Sequence, residues 1–291
     1  MQITTVPRAA ASSPLTHDRL ARRRQRLRDD VHRCAVPRDH LAEPAANRAV
    51  RDVIADTLST LGFSVSLEGR YDNVVALPLR PRGPLTLIGA HYDSVPFCPG
   101  ADDNASAVAV MLEAARHHAE SGADVGLVAF NAEEHGLRGS SELVADWLAA
   151  APPIAGVHVL EMVGFASHEV GSQRSPIALP GLPRVGDFIG VIANQRSRSL
   201  RRRIVRAARR ASTPTPPLVS LQTWLGAERL VPDLFRSDHA PFWHAGIPAV
   251  MWTDTAEFRN PHYHRPTDTP DTLDYDFMAG VAELLIAATS E

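Results

Sequence analysis

Lysine is absent: all 30 basic residues are arginine, so the chain has no lysine to act as base or to form a Schiff base. Cysteine is nearly absent. Cys34 and Cys98 stand far apart, which argues against a disulfide framework. No apolar run approaches the roughly 18 residues of a membrane-crossing helix. The first thirty residues have no apolar segment ahead of their arginines, so no signal peptide is read and the cytoplasm is the expected compartment. Charge of one sign is lacking too. A net charge of -3 gives no pull toward nucleic acid or anionic membrane. What is left is ordinary globular composition over 291 residues, enough for one large domain or two small ones.

Residues 1–15, rich in Ala, Ser, Thr and Pro, read as a disordered lead-in. A helix is expected from Thr16 to about Arg33. A clearer one carries Val50, Val53, Ile54, Leu58 and Leu61 at helical spacing and stops at Gly62. Short β-branched or apolar runs predict strands at Asn73–Pro78, Leu85–Ala90, Gly126–Phe130, Val157–Met162, Phe188–Ala193 and Ala249–Thr253. Helices are expected at 105–119, 139–150, 197–211, 238–245 and 275–289. Alternation of this kind means an α/β sheet covered on both faces. No repeat or long linker divides it, so 16–291 reads as one domain.

Polar residues gather where these strands end. His91 closes one, Glu133 and Glu134 follow another, and Glu161 closes a third. Open α/β sheets bind ligands at the carboxyl ends of their strands, and unpaired buried carboxylates are costly. With Asp103 and His264 added, two imidazoles and three carboxylates without a thiolate suit zinc or a harder divalent ion. Five ligands are too many for one tetrahedral zinc, whereas one shared carboxylate lets five serve two ions, an arrangement that activates water. Glu133, beside Glu134, is the candidate general base. Asp93 is placed to orient His91 through its second ring nitrogen.

The segments AHYDS, GADDNAS, NAEEHGLRGS, LEMVG, RSDHAPFWHAGIPAV and YHRPTDTPDTLD together resemble the co-catalytic zinc aminopeptidases of peptidase family M28, which also holds glutamate carboxypeptidase-type enzymes and glutaminyl cyclases. The resemblance covers about residues 45–287. It implies a three-layer α/β/α sandwich around a mixed, mainly parallel sheet. It also implies two zinc ions, one on His91 and Glu161, the other on Glu134 and His264, bridged by Asp103. Glu133 takes the general-base position. Tyr263 takes that of a tyrosine polarising the scissile carbonyl, and Asp238 that of a buried acid near the metal. Two departures stand out: Glu161 where aspartate is commoner, and Ala107 where glycine is frequent. The implied activity is aminopeptidase action on a peptide or small amide. A single-zinc cyclase-like acyltransferase, an amidohydrolase of a small metabolite and a non-catalytic binding module are the alternatives.

Other features read as structural. Asp102 is assigned to backbone capping or to support of the ligands. His135, His239, His244, His262 and Cys98 are assigned to packing or surface. The eight arginines of 196–212 flank an apolar stripe of Leu200, Ile204, Val205 and Ala208, which makes them a solvated face and not a nucleic-acid groove. The side-chain pocket is expected from 164–185 and 220–236, with Trp224, Phe235 and Arg174 as possible liners. Oligomeric state is not legible.

Overall fold

In the computed structural model, residues 1–9, 14–150, 153–175 and 181–290 are described. In chain order the elements are β1 (Gln2–Val6), α1 (Pro14–Cys34), α2 (Pro44–Thr60), β2 (Ser64–Glu68), β3 (Asn73–Leu77), β4 (Leu85–His91) and α3 (Ala107–Ser121). There follow β5 (Val125–Phe130), α4 (Arg138–Ala150), β6 (Ile154–Glu161), β7 (Ile189–Ala193), α5 (Arg198–Arg210), β8 (Leu218–Gln222), α6 (His239–His244), β9 (Ala249–Thr253) and α7 (Tyr275–Thr289).

The strands form one sheet in the order β1-β8-β7-β9-β6-β4-β5-β3-β2. It is mixed: β5-β4-β6-β9 run parallel at the centre, with antiparallel pairs at β1–β8, β2–β3, β3–β5 and β7–β9. The apolar runs of β4 and β5 explain their central place, because both faces are covered. Ile88, Ala90, Leu127 and Ala129 enter a core built with α1, α2, α3, α5 and α7. Leu85, Leu87, Val128 and Phe130 enter a second core with α4 and α6. Period-two alternation thus feeds two cores from one strand. No helix among the described residues is long and apolar enough to cross a membrane.

Residues 2–6 correct the expectation of a disordered lead-in. They form β1, paired along its length with β8 from Gln2↔Gln222 to Val6↔Leu218. Val6 is buried in the larger core, so this polar-looking segment gains both a ladder and an apolar anchor. Residues 10–13 lie outside the described residues. Strands β2 and β8 were not anticipated either, and α3 begins only after an irregular turn at Ala101–Ser106. The N-cap of α7 is Asp274, whose carboxylate accepts from the amides of Asp276 and Phe277.

Candidate active site

Three central strands deliver the site. His91 is the last residue of β4, Glu161 the last of β6, and the loop after β5 carries Glu133 and Glu134. These strands are mutually parallel, so their carboxyl ends share one edge. Asp103 comes from the turn ahead of α3, and His264 from the loop ahead of α7.

The side chains converge as two groups that meet on one aspartate. His91 Nε2 lies 3.2 Å from Asp103 Oδ1 and 3.6 Å from Glu161 Oε1. His264 Nε2 lies 3.1 Å from Asp103 Oδ2 and 3.2 Å from Glu134 Oε2. Within each group the donor atoms lie within 4.8 Å of one another. The two oxygens of Asp103 are thus divided between the groups. Glu161, despite its longer arm, reaches His91, and its other oxygen accepts from Ser237 Oγ at 2.6 Å.

Charge balance tests whether these residues fit a cation. Against burial, which would raise it, the imidazoles of His264 and His91 beside it hold the Asp103 carboxyl well below its ordinary range. Burial and the neighbouring Asp103 push Glu134 up to about 7, and burial pushes Asp238 up to about 7. Glu133 is also driven well upward, by burial and by Glu161 and Glu134. Against burial, His264 is raised to about 10 by its bonds to Asp103 and Glu134. Protons are therefore retained where a positive charge is lacking. His91 Nε2, Asp103 Oδ1 and Glu134 Oε1 are buried without hydrogen-bond partners, and lone pairs left so are costly unless a cation takes them. The donor set fits zinc.

The surrounding shell fixes these groups. Asp93, fully buried, accepts from the amides of Glu133 and Glu134 at 3.2 and 3.3 Å, and its Oδ1 lies 3.4 Å from His91 Nδ1. It therefore ties two of the three strands' contributions together. Asp268 accepts from the amides of Asp102 and Asp103. The Asp102 carboxylate accepts from Gly164 N and Asn260 Nδ2. A Cβ at Gly164 would sit 2.8 Å from Ser106 Cβ, so the chain can pass only as glycine there. Arg38, fully buried, donates to the carbonyls of Tyr92, Pro99 and Gly100 and so braces the loop between His91 and Asp103. Asp238 is fully buried, its charge coupled to His91 and Glu161.

Tyr263 stacks on His264, ring centroids 3.8 Å apart, and its hydroxyl accepts from Arg236 Nη2 at 3.0 Å. Beside Glu161 and Tyr263 opens a largely apolar cavity of about 150 Å³. Arg174 is among its liners, as expected, but Trp224 and Phe235 are not. Phe235 packs instead on Trp243 and His244. In a further ligand-type group, Asp39, His40 and His135, Asp39 accepts from His135 Nε2 at 2.6 Å and from the amides of Leu41 and Ala42, while His40 Nδ1 is buried without a partner among the described residues. Asp268, Ser237, Arg38 and Arg236 escaped the sequence reading. Ser237 stands beside Asp238, and Asp268 lies within PTDT, so proximity to a site motif was the available signal; Arg38 carried none.

An open α/β sheet with two abutting nitrogen–oxygen ligand groups at its carboxyl edge defines a class: α/β proteins fitted to hold divalent metal. The chain belongs to peptidase family M28, whose model matches residues 73–289. It is 38% identical over 232 residues to the uncharacterized protein YfbL of Escherichia coli K12, covering 75% of this chain and 70% of that one. The structure of BSAP, a zinc aminopeptidase from Bacillus subtilis, is 29% identical, covers 74% of this chain and 48% of its own, and has a TM-score of 0.53. A glutaminyl cyclase structure from Porphyromonas gingivalis shares the fold at 19% identity and a TM-score of 0.66, covering 92% of this chain and 97% of that one. The chain spans about half the length of the curated aminopeptidases it matches.

Proposed function

We propose that the chain is a zinc-dependent aminopeptidase that hydrolyses the N-terminal amide bond of peptides or small aminoacyl amides. The observation that carries this reading is the divided carboxylate of Asp103, one oxygen toward His91 and the other toward His264. His91, Asp103 and Glu161 would hold one zinc, and Asp103, Glu134 and His264 a second. Bound there, zinc supplies Lewis acidity to the scissile carbonyl and lowers the pKa of the attacking water.

The chain's own groups do the rest. Glu133, raised by burial, accepts a proton from the attacking water as its oxygen bonds to the carbonyl carbon. It returns that proton to the leaving nitrogen as the carbon–nitrogen bond breaks. Tyr263 already accepts from Arg236, which leaves its own O–H to donate to the carbonyl oxygen as negative charge develops there. Asp93 holds the His91 ring and the Glu133–Glu134 backbone in register. The apolar cavity beside Glu161 receives the first side chain of the substrate.

The test is metal analysis of the zinc-replete protein beside a panel of aminoacyl amides and N-blocked peptides. Hydrolysis of the free-amine substrates alone, with two zinc ions per chain, is the expected result. Turnover of N-blocked peptides alone would overturn the aminopeptidase reading. The shared fold keeps one rival in view, a glutaminyl-cyclase-like acyltransferase. It would bind one zinc, and its product would lose ammonia without gaining water.

A further inference from the structure

We propose that Asp39, His40 and His135 form a further metal site, separate from the two inner groups, which takes a divalent ion of the zinc type. Nothing in the aminopeptidase reading requires this site, and the two stand or fall independently.

Two segments far apart in sequence build the cluster. Asp39 and His40 lie in the linker between α1 and α2, and His135 directly follows Glu134 in the loop between β5 and α4. One ligand-type atom from each of the three lies within 4.8 Å of the others, and none of the three belongs to the inner groups. The rings of His40 and His135 meet nearly at right angles, with centroids 4.2 Å apart. The fold already joins the two segments. Asn47, near the start of α2, donates to the Arg38 carbonyl and exchanges hydrogen bonds with Asn131 at 3.0 and 3.1 Å. Both asparagines are buried. The ligands are therefore gathered in advance, and an ion does not have to order them.

The donor atoms suit such an ion. Asp39 is almost wholly buried, and its Oδ1 accepts from the amides of Leu41 and Ala42 at 2.8 and 2.6 Å. Those bonds favour the carboxylate form, fix its plane and leave Oδ2 toward His135 Nε2, 2.6 Å away. An aspartate–histidine pair accounts for that contact but not for the second imidazole. His40 Nδ1 is buried with no hydrogen-bond partner among the described residues, and a nitrogen left so costs about 1–3 kcal/mol. An ion bound by this nitrogen would supply the partner it lacks. Two imidazoles and one carboxylate without a thiolate suit zinc, cobalt or nickel better than calcium or magnesium. Zinc bonds of about 2.0–2.1 Å to Asp39 and His135 would set their donor atoms roughly 3.3 Å apart, so His135 has to back away by about 0.7 Å. Its side chain is 26% exposed and can yield toward solvent. Charge sets the strength of the site. One carboxylate faces the outer ion, whereas Asp103, Glu134 and Glu161 face the inner pair. The outer ion is therefore held less tightly and stays only while free zinc is kept up.

The test is zinc binding by the full chain, with free zinc set by a metal buffer and raised stepwise. Wild type should take up one ion more than either His40→Gln or His135→Gln, both checked for fold by circular dichroism. Its Tm should rise again as that last ion binds, and the variants should lack this second rise. The count is a difference between wild type and variant, so it reads the outer ion whether the inner groups hold one zinc or two. Asp103→Ala should lose inner zinc and keep the ion that depends on His40. Equal zinc uptake by wild type and both glutamine variants overturns the outer site, and so does loss of the His40-dependent ion in Asp103→Ala. Either result leaves the inner groups to be judged by their own ligands.

Discussion

Replacing Asp93 by asparagine probes the joint between His91 and the Glu133–Glu134 loop. The carboxylate is fully buried and accepts from two backbone amides at 3.2 and 3.3 Å. The amide side chain keeps one acceptor and turns its NH₂ toward a donor, so one charge-assisted bond is lost, about 2 kcal/mol. Relief of repulsion with Asp238, which feels the charge of Asp93, offsets part of this. We expect the metal-free protein to lose about 1–2 kcal/mol in a urea melt. Metal binding should suffer separately. Asp93 Oδ1 lies 3.4 Å from His91 Nδ1, and removing such an orienting partner weakens a site by about 10- to 100-fold. The loss should fall on the zinc held by His91 and much less on that held by His264. Zinc titration against a competing chelator resolves the two. Wild-type affinity at both sites, or equal weakening of both, would refute the reasoning.

Glu133→Gln should keep its zinc and its fold while turnover falls by about 10²–10⁴; wild-type turnover would remove Glu133 from the role of base. Exhaustive chelation should abolish activity and added zinc restore it, and Asp103→Ala should lower zinc stoichiometry more than any other single ligand change, since Asp103 borders both groups. Full activity in protein shown to be metal-free would end the zinc reading. The histidine contribution to the stability of the metal-free protein should decline as pH drops below about 6.5, the ordinary histidine value, while Glu134 and Asp238, raised to about 7, pull the other way. Burial lowers His118 to about 4, His158 to about 3 and His239 to about 4, so in that window the unfolded chain binds the protons first. The loss runs at up to about 1.4 kcal/mol per pH unit for each histidine and levels off near the folded values. His158 Nδ1 accepts from Trp252 Nε1 at 3.2 Å, a bond glutamine can keep; His158→Gln should gain in urea midpoint relative to wild type as pH falls from 6.5 to 4, and a constant difference counts against the assignment.

The centre of the sheet was legible because β4 and β5 are buried on both faces and so read as unbroken apolar runs. Edge strands give no such signal. β2, SVSLE, is mostly exposed or half-buried, and β1 hides in a polar, Ala- and Ser-rich segment. β8 is fully buried but only five residues long, directly after the prolines of 214–217, where the pattern reads as loop. Within the site, His91, Asp103, Glu134, Glu161 and His264 could be named because each ends a strand or sits in a compact motif. Trp224 and Phe235 were placed on the pocket wall from segment membership alone; the segments do line it, through Gln173, Arg174, Leu221, Val231 and Leu234, but not through those two rings. Arg38 was beyond reach, since the loop carbonyls it braces, those of Tyr92 and Gly100, lie more than fifty residues away.

The acids around the site divide into two kinds by what their oxygens meet. Asp93, Asp102 and Asp268 accept from backbone amides of the loops that form the cradle. These bonds hold the loops in place, and losing one acid would loosen a loop. Asp103 and Glu134 each keep one buried oxygen to which no described residue donates. The buried arginines do not reach them. Arg38 is bonded to carbonyls, and Arg259 to Gln173 and the Phe165 carbonyl. The guanidinium groups of Arg38 and Arg259 are thus bonded to oxygens other than those of Asp103 and Glu134. Such a division has a physical reason if the inner charge is balanced by an exchangeable ion, because a resident arginine there would compete with the ion for the same oxygens.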